Sequence, residues 1–232
     1  MVPYGQGGWG MKFANSTNGK LTYTTSTALP AFINQDAYTI VLHWTPSSDD
    51  DGVEAYLITS GTPSYDTGEM EMYKNTDNKI VFRVPGTISM TGNKVVKCDG
   101  ETPVSIIISY DKNRAMSTRR CIMFLDGEEA DHDDGNTNIT TGPITLGGYF
   151  VSTSADRGTT GVFEELIIYD KAYDVVSTPN RYIYNTRGLE DISTNLITHS
   201  ALLIAADYHN FRGTSKYEIG TTSATTWRTT IA

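Results

Sequence analysis

The feature that most constrains this chain is a two-residue alternation of side chains that recurs along much of its length. Tyr38, Ile40, Leu42 and Trp44 fall on one side of an extended segment, and Thr39, Val41, His43 and Thr45 on the other. Such alternation follows from the strand backbone, in which successive side chains point to opposite faces. Val104, Ile106, Ile108 and Tyr110 repeat it against Ser105, Ile107 and Ser109, and Cys121, Met123 and Leu125 oppose Ile122 and Phe124. Phe163, Glu165, Ile167 and Tyr169 likewise oppose Val162, Glu164, Leu166 and Ile168. Where both faces carry apolar groups, the strand is expected within a sandwich or beneath a covering loop. Turn-forming clusters at 47–52, 75–78, 86–93, 131–138 and 152–161 separate the runs. Short strands punctuated in this way predict an all-β fold, a two-sheet antiparallel sandwich or jelly roll. Thr and Ser make up about a fifth of the 232 residues, which suits strands and turns better than helices.

One hairpin can be registered. Met70 and Met72 must share a face with Ile80, Phe82 and Val84, so the connection around Thr76-Asp77 has odd length and Arg83 falls opposite Glu69 or Glu71. Helix is scarce. Residues 175–187 have partial 3.6-residue periodicity, with Tyr182 and Ile183 after Pro179 and a stop at Gly188. Residues 192–210 read either as a helix with Leu196, Ala201 and Ile204 on one face or as a buried strand at Leu202-Leu203-Ile204. The last twenty residues, rich in Thr, read as an extended arm.

Charge narrows the partners. The 27 acids and 18 bases give a net charge of -9, and no basic run exceeds Arg119-Arg120, so the chain repels nucleic acid and anionic lipid. No apolar stretch approaches the roughly 20 residues that span a bilayer, and insertion into a membrane is not expected. The first ten residues lack the charged and apolar regions of a secretory leader, which leads to an expectation of cytoplasmic synthesis. Cys98 and Cys121 read as two reduced thiols, with a single bridge as the alternative.

Four blocks in order carry a resemblance. They are Tyr38-Thr39-Ile40-Val41-Leu42-His43-Trp44-Thr45-Pro46, the apolar run 104–111 ending in Tyr110-Asp111, Cys121-Ile122-Met123-Phe124-Leu125-Asp126-Gly127-Glu128, and Ile144-Thr145-Leu146-Gly147-Gly148 followed by 161–172 with Tyr169-Asp170-Lys171-Ala172. Together they resemble the laminin-G-like branch of the concanavalin A-like lectin/glucanase superfamily over about residues 9–185. The resemblance implies a curved jelly roll with a ligand-binding face or rim. It divides the chain into a jelly-roll domain at 1–187 and a C-terminal extension at 188–232, which packs on the sandwich or on a neighbouring subunit. Related modules open with an apolar strand that is missing here. Residues 201–208 resemble that strand at the other end of the chain, and are expected to fill its place or to add to a neighbour's edge.

The superfamily includes glycoside hydrolases, which need two carboxyls about 5 Å apart, or somewhat more in inverting enzymes. Glu69 and Glu71 have the spacing for one strand face, but Tyr73 and Lys74 follow where the glucanase motif continues to another acid, and Arg83 lies across the hairpin. Glu164 and Glu165 are expected on opposite faces. His43 is expected to be solvated on the Thr-lined face of its strand, and His199 and His209 are isolated. Phosphate loops, zinc motifs and nucleophile elbows are absent. An enzyme is therefore not expected, and no catalytic, cofactor-binding or metal-binding residue is assigned. Calcium, which laminin-G-like domains often hold at the rim, would need converging oxygens. The acidic loops Asp49-Asp50-Asp51-Gly52 and Asp131-His132-Asp133-Asp134-Gly135-Asn136 are the candidates. Trp9, Trp227 and Tyr149 are candidates for stacking on sugar rings, whereas Trp44 is expected to be buried. Asn15 and Asn138 stand in glycosylation triplets without a leader to make them meaningful.

Laminin-G-like proteins without a leader resemble the structural proteins of tailed phages. That resemblance implies a non-enzymatic protein on a virion surface, made in the host cytoplasm, contacting capsid or tail proteins and copies of itself, with glycans as possible ligands. The alternatives are a secreted or cell-surface lectin or adhesin module, and a glycoside hydrolase of the same fold.

Overall fold

A computed structural model of the chain describes residues 2–4, 8–12, 20–24, 36–60, 69–115, 117–139, 144–148, 158–169, 172, 202–206 and 226–230. The strands are β1 (Val2–Tyr4), β2 (Gly8–Lys12), β3 (Lys20–Thr24), β4 (Ala37–Thr45), β5 (Ala55–Ser60), β6 (Glu71–Lys74), β7 (Lys79–Val84) and β8 (Ile88–Val95). They continue with β9 (Val104–Asp111), β10 (Cys121–Leu125), β11 (Glu128–Asp133), β12 (Ile144–Leu146), β13 (Val162–Tyr169), β14 (Leu202–Ala206) and β15 (Thr226–Thr230). Among the described residues the only helical turns are short 3-10 segments at Ser48–Asp50 and Ser117–Arg119, and no helix is long and apolar enough to cross a membrane.

One sheet runs β1-β2-β13-β4-β9-β10-β11, with β14 also paired to β13, and the other runs β15-β3-β12-β5-β6-β7-β8. The fold is the expected all-β, two-sheet antiparallel jelly roll. Alternation puts Tyr38, Ile40, Leu42 and Trp44 of β4 into the core between the sheets, against Met70, Met72, Ile80, Phe82, Val84 and Met90 of the facing sheet. The outer side of β4 is buried too. Thr39, Val41 and Thr45 are closed off and His43 is only 7% exposed, so the expectation of a solvated His43 is corrected. Neighbouring outer positions Ser105, Ile107, Ser109, Ile122 and Phe124 are buried likewise, and this second covered face accounts for the apolar residues on both sides of these strands.

The β6–β7 register pairs Met72 with Phe82 and Glu71 with Arg83. Asp126 and Gly127 join β10 to β11 with φ of 50° and 85°, the two positive values that a two-residue type I′ turn requires. Strict alternation fails in β13. The register shifts between Phe163 and Glu165, and Phe163 and Leu166 both enter the core, so a β-bulge exchanges the faces midway. The C-terminal strands join both sheets. Leu202–Ala206 lies antiparallel to β13, on the edge that β2 occupies at Val162 and Phe163, and Thr226–Thr230 pairs with β3. The helical pattern at 175–187 lies outside the described residues.

Two sheet edges meet at β8 and β11. Asp131 and Asp133 of β11 reach across, and their carboxylates accept hydrogen bonds from the backbone N–H of Thr91 (2.7 Å) and Ser89 (3.1 Å). Side chains of one sheet thereby satisfy outward-facing amides of the other.

Candidate functional site

Among the described residues, two places gather polar chemistry, the rim beside the β4–β5 connection and the outer face of the sheet containing β5, β6 and β7. At the rim, Ser47 caps the turn Ser48–Asp50 through a capping box. Asp50, only 1% exposed, accepts from Ser47 N (3.1 Å), Thr160 N (2.8 Å), Thr160 Oγ1 (3.1 Å) and Thr159 Oγ1 (2.9 Å). Thr159 Oγ1 accepts in turn from Trp44 Nε1 (3.2 Å) and Gly161 N (2.9 Å). A buried carboxylate thus ties the segment before β13 to the end of β4, with Trp44 buried as expected. A Cβ at Gly161 would collide with Trp44 Nε1 and Thr45 O, so only glycine permits this approach.

Next to this tie, Asp51 Oδ1 accepts from Asn78 Nδ2 (2.6 Å), and Asn78 Oδ1 accepts from Gly52 N (3.1 Å) and from Lys74 Nζ (2.7 Å). Lys74 also donates to Val53 O (2.7 Å) and Asn75 O (3.1 Å). Neither acidic loop fits calcium. In the first, Asp50 is saturated by donors and a lysine cation stands beside Asp51. In the second, Asp131 Oδ1 takes His132 N and Asp133 Oδ1 takes Gly135 N, while their Oδ2 atoms serve β8. His132 pairs instead with Glu129 at 3.0 Å. Among the described residues no cluster of three or more His, Cys, Asp or Glu side chains could hold a metal.

On the outer sheet face, cross-strand pairing sets Thr59, Glu71, Arg83 and Ser89 in one row, and Tyr56, Tyr73, Val81 and Thr91 beside it. Tyr56 and Tyr73 stack with ring centroids 5.0 Å apart, and the Arg83 guanidinium lies 5.3 Å from the Tyr73 centroid. Arg83 Nε donates to Glu71 Oε2. Burial works against the arginine charge, but the Glu71 hydrogen bond and charge outweigh it and its pKa is raised. The Glu71 side chain is 2% exposed, and its Oε1 has no hydrogen-bond partner among the described residues, whereas the Arg83 side chain is 32% exposed. Glu69 is buried on the same face. The rings are closed off, so the reachable group is the outer edge of an arginine held from below by an acid and a tyrosine.

The structure therefore sets Arg83 opposite Glu71, one of the two positions that the sequence register allowed, with Glu69 buried nearby in the chain. It adds Tyr56 and Tyr73, whose signal was present in the period that puts Tyr73 on the face of Glu69 and Glu71. Lys74, Asn78 and Thr159 carried no local signal. Glu164 and Glu165 straddle the bulged part of β13, Trp9 lies in β2 opposite Pro3, and Trp227 in β15 opposite Tyr23. The side chains of these four lie outside the described set, as do Asn15, Tyr149, His199 and His209. Asn138 is half-buried, with Nδ2 on Asp36. Cys98 and Cys121 are both free thiols.

No protein-family model matches the chain, and no curated protein sequence does. Solved structures do match in fold. A carbohydrate-binding protein described as putative, from Bacteroides ovatus, superposes with a TM-score of 0.58 at 13% identity over 84% of this chain and 50% of its own, so this chain spans half the length of that protein. A heptameric SAP-like pentraxin from Limulus polyphemus matches at TM-score 0.51, with 12% identity over 71% of this chain and 76% of that one. The CBM40 domain of the Ruminococcus gnavus IT-sialidase, bound to α2,3-sialyllactose, gives 0.50 at 14% identity over 65% of this chain and 82% of that one. At such identities the likeness establishes the fold alone, the two-sheet jelly roll expected from the sequence.

Proposed function

We propose that this chain is a non-catalytic, carbohydrate-binding sandwich whose ligand contacts the outer face of the β5–β6–β7 sheet at Arg83. The observation that carries this reading is the Glu71–Arg83–Tyr73 arrangement. A guanidinium braced by a buried carboxylate and a ring presents fixed donors to sugar hydroxyls at little entropic cost. The sandwich is of the kind found in the Bacteroides ovatus protein described as a putative carbohydrate-binding protein, and the net charge of -9 favours neutral over polyanionic glycans. Catalysis is not part of the proposal, because Glu71 is engaged by Arg83 and Tyr73 stands where a further acid would be needed.

The test is a glycan array followed by calorimetry on hits. Arg83→Ala is expected to weaken binding at least about tenfold with an unchanged circular dichroism spectrum, as for loss of one charged hydrogen-bonding group. Equal binding by the variant would move the site elsewhere. Release of reducing sugar that is lost in Glu69→Gln or Glu71→Gln would replace this reading with a glycosidase. The setting we propose is a virion surface, with capsid or tail proteins and further copies of the chain as partners. Mass spectrometry of purified particles carrying the gene decides that point.

A further inference from the structure

A different cation stands beside the acidic turn singled out as a calcium candidate. Lys74 lies at the end of β6 with its whole side chain buried, 0% exposed. Its ammonium has three donors, and three oxygens receive them: Val53 O at 2.7 Å, Asn78 Oδ1 at 2.7 Å and Asn75 O at 3.1 Å. These oxygens come from the connection before β5 and from the β6–β7 turn. They are held in place independently. Gly52 N and Asn78 Nδ2 anchor the Asn78 amide to the acidic loop, Asn75 Oδ1 accepts from Asp77 N and Lys79 N, and Asn78 adopts a positive φ of 57°. Burial lowers the Lys74 pKa, while Cys98, Asp50 and Asp51 act in the opposite sense and favour the charge. An isolated buried ammonium is costly, and it persists where acceptors and nearby carboxylates replace its water.

We infer that the rim is a cation receptor whose ion is supplied covalently: the Lys74 ammonium occupies an oxygen-lined pocket and joins the β4–β5 and β6–β7 connections without any soluble ion. The pocket selects a primary ammonium, since its three oxygens match three N–H donors.

Lys74→Ala deletes the side chain beyond Cβ, which n-propylammonium replaces atom for atom. Lys74→Met fills most of the same space with no charge and no donor. Thermal unfolding of wild type and both variants would be followed in n-propylammonium chloride and in equal sodium chloride. The expected result is that both variants melt below wild type, and that n-propylammonium raises the Tm of Lys74→Ala alone, by at least about 3 °C over sodium chloride. The inference is overturned if Lys74→Ala melts with wild type, or if n-propylammonium shifts all three proteins alike. Should Lys74→Ala not fold in buffer, refolding with n-propylammonium serves instead: recovery of folded protein supports the inference and failure overturns it. Glycan binding is read separately at Arg83 and does not enter this outcome.

Discussion

Asp50 and Asp49 are adjacent, chemically identical and opposite in consequence. Asp50 is buried and receives four hydrogen bonds, whereas the Asp49 side chain lies in solvent. Asp50→Ala leaves the buried donors of Thr159 and Thr160 without their acceptor and is expected to cost about 3 kcal/mol in urea unfolding, against less than about 0.5 kcal/mol for Asp49→Ala. The cysteines differ from a free thiol in the same direction. Burial pushes the Cys98 thiol up to about 11, with Lys74 pulling the other way, and burial raises Cys121 as well. A folded pKa above the unfolded value of about 8.5 means that the native state holds this proton more tightly. The Cys98 contribution is therefore present below that value and lost as pH rises through about 11. Cys98→Ser is expected to flatten the fall in stability across that window, as measured by urea midpoints at successive pH values. The sequence showed the three acids but not which one turns inward, because its threonine partners lie more than a hundred positions away in the chain.

At the scale of elements, the edges of β8 and β11 are closed by side chains rather than by further strands. An unpaired edge offers amides to any passing strand, and carboxylates that occupy those amides remove the offer. Asp131→Ala with Asp133→Ala is expected to speed hydrogen exchange at the Ser89 and Thr91 amides and to increase aggregation on heating, with a stability loss of about 2 kcal/mol. Unchanged exchange at those two amides would show that the carboxylates do not protect them. Most elements were legible because alternation survives wherever a strand is regular: β4, β7, β9 and β10 follow it from end to end. It failed at β13, where the bulge after Phe163 reverses the faces, since a bulge is set by a cross-strand partner and leaves no mark in the period. His43 was misread for a related reason. Alternation reports which side of a strand a residue occupies, not whether that side is covered.

For the molecule as a whole, the long-range pairings that close the sandwich involve its last strands. β14 continues the edge of β13 beyond β2, and Ile204 lies opposite Ile168. Ile204→Pro places a residue that is disfavoured within a sheet into that pairing and is expected to lower the urea midpoint of the entire cooperative transition. A separate, earlier transition with the main midpoint unmoved would show that 202–206 is an appendage. The apolar run 202–206 was visible in the sequence as a strand or a helix, and only the open edge of β13 decides between them. That Arg83 faces Glu69 or Glu71 was legible from register, and the structure decides for Glu71, while the Lys74 pocket was not legible, because its oxygens are mostly backbone carbonyls that no side-chain pattern announces. The pairing of Thr226–Thr230 with Lys20–Thr24 carries one further consequence, and it concerns time. On the ribosome, β3 is made early and waits for a neighbour more than two hundred residues later, so that side of its sheet stays open until Thr226–Thr230 has emerged. Until that strand is free, the nascent chain must be kept from associating through the open edge of β3.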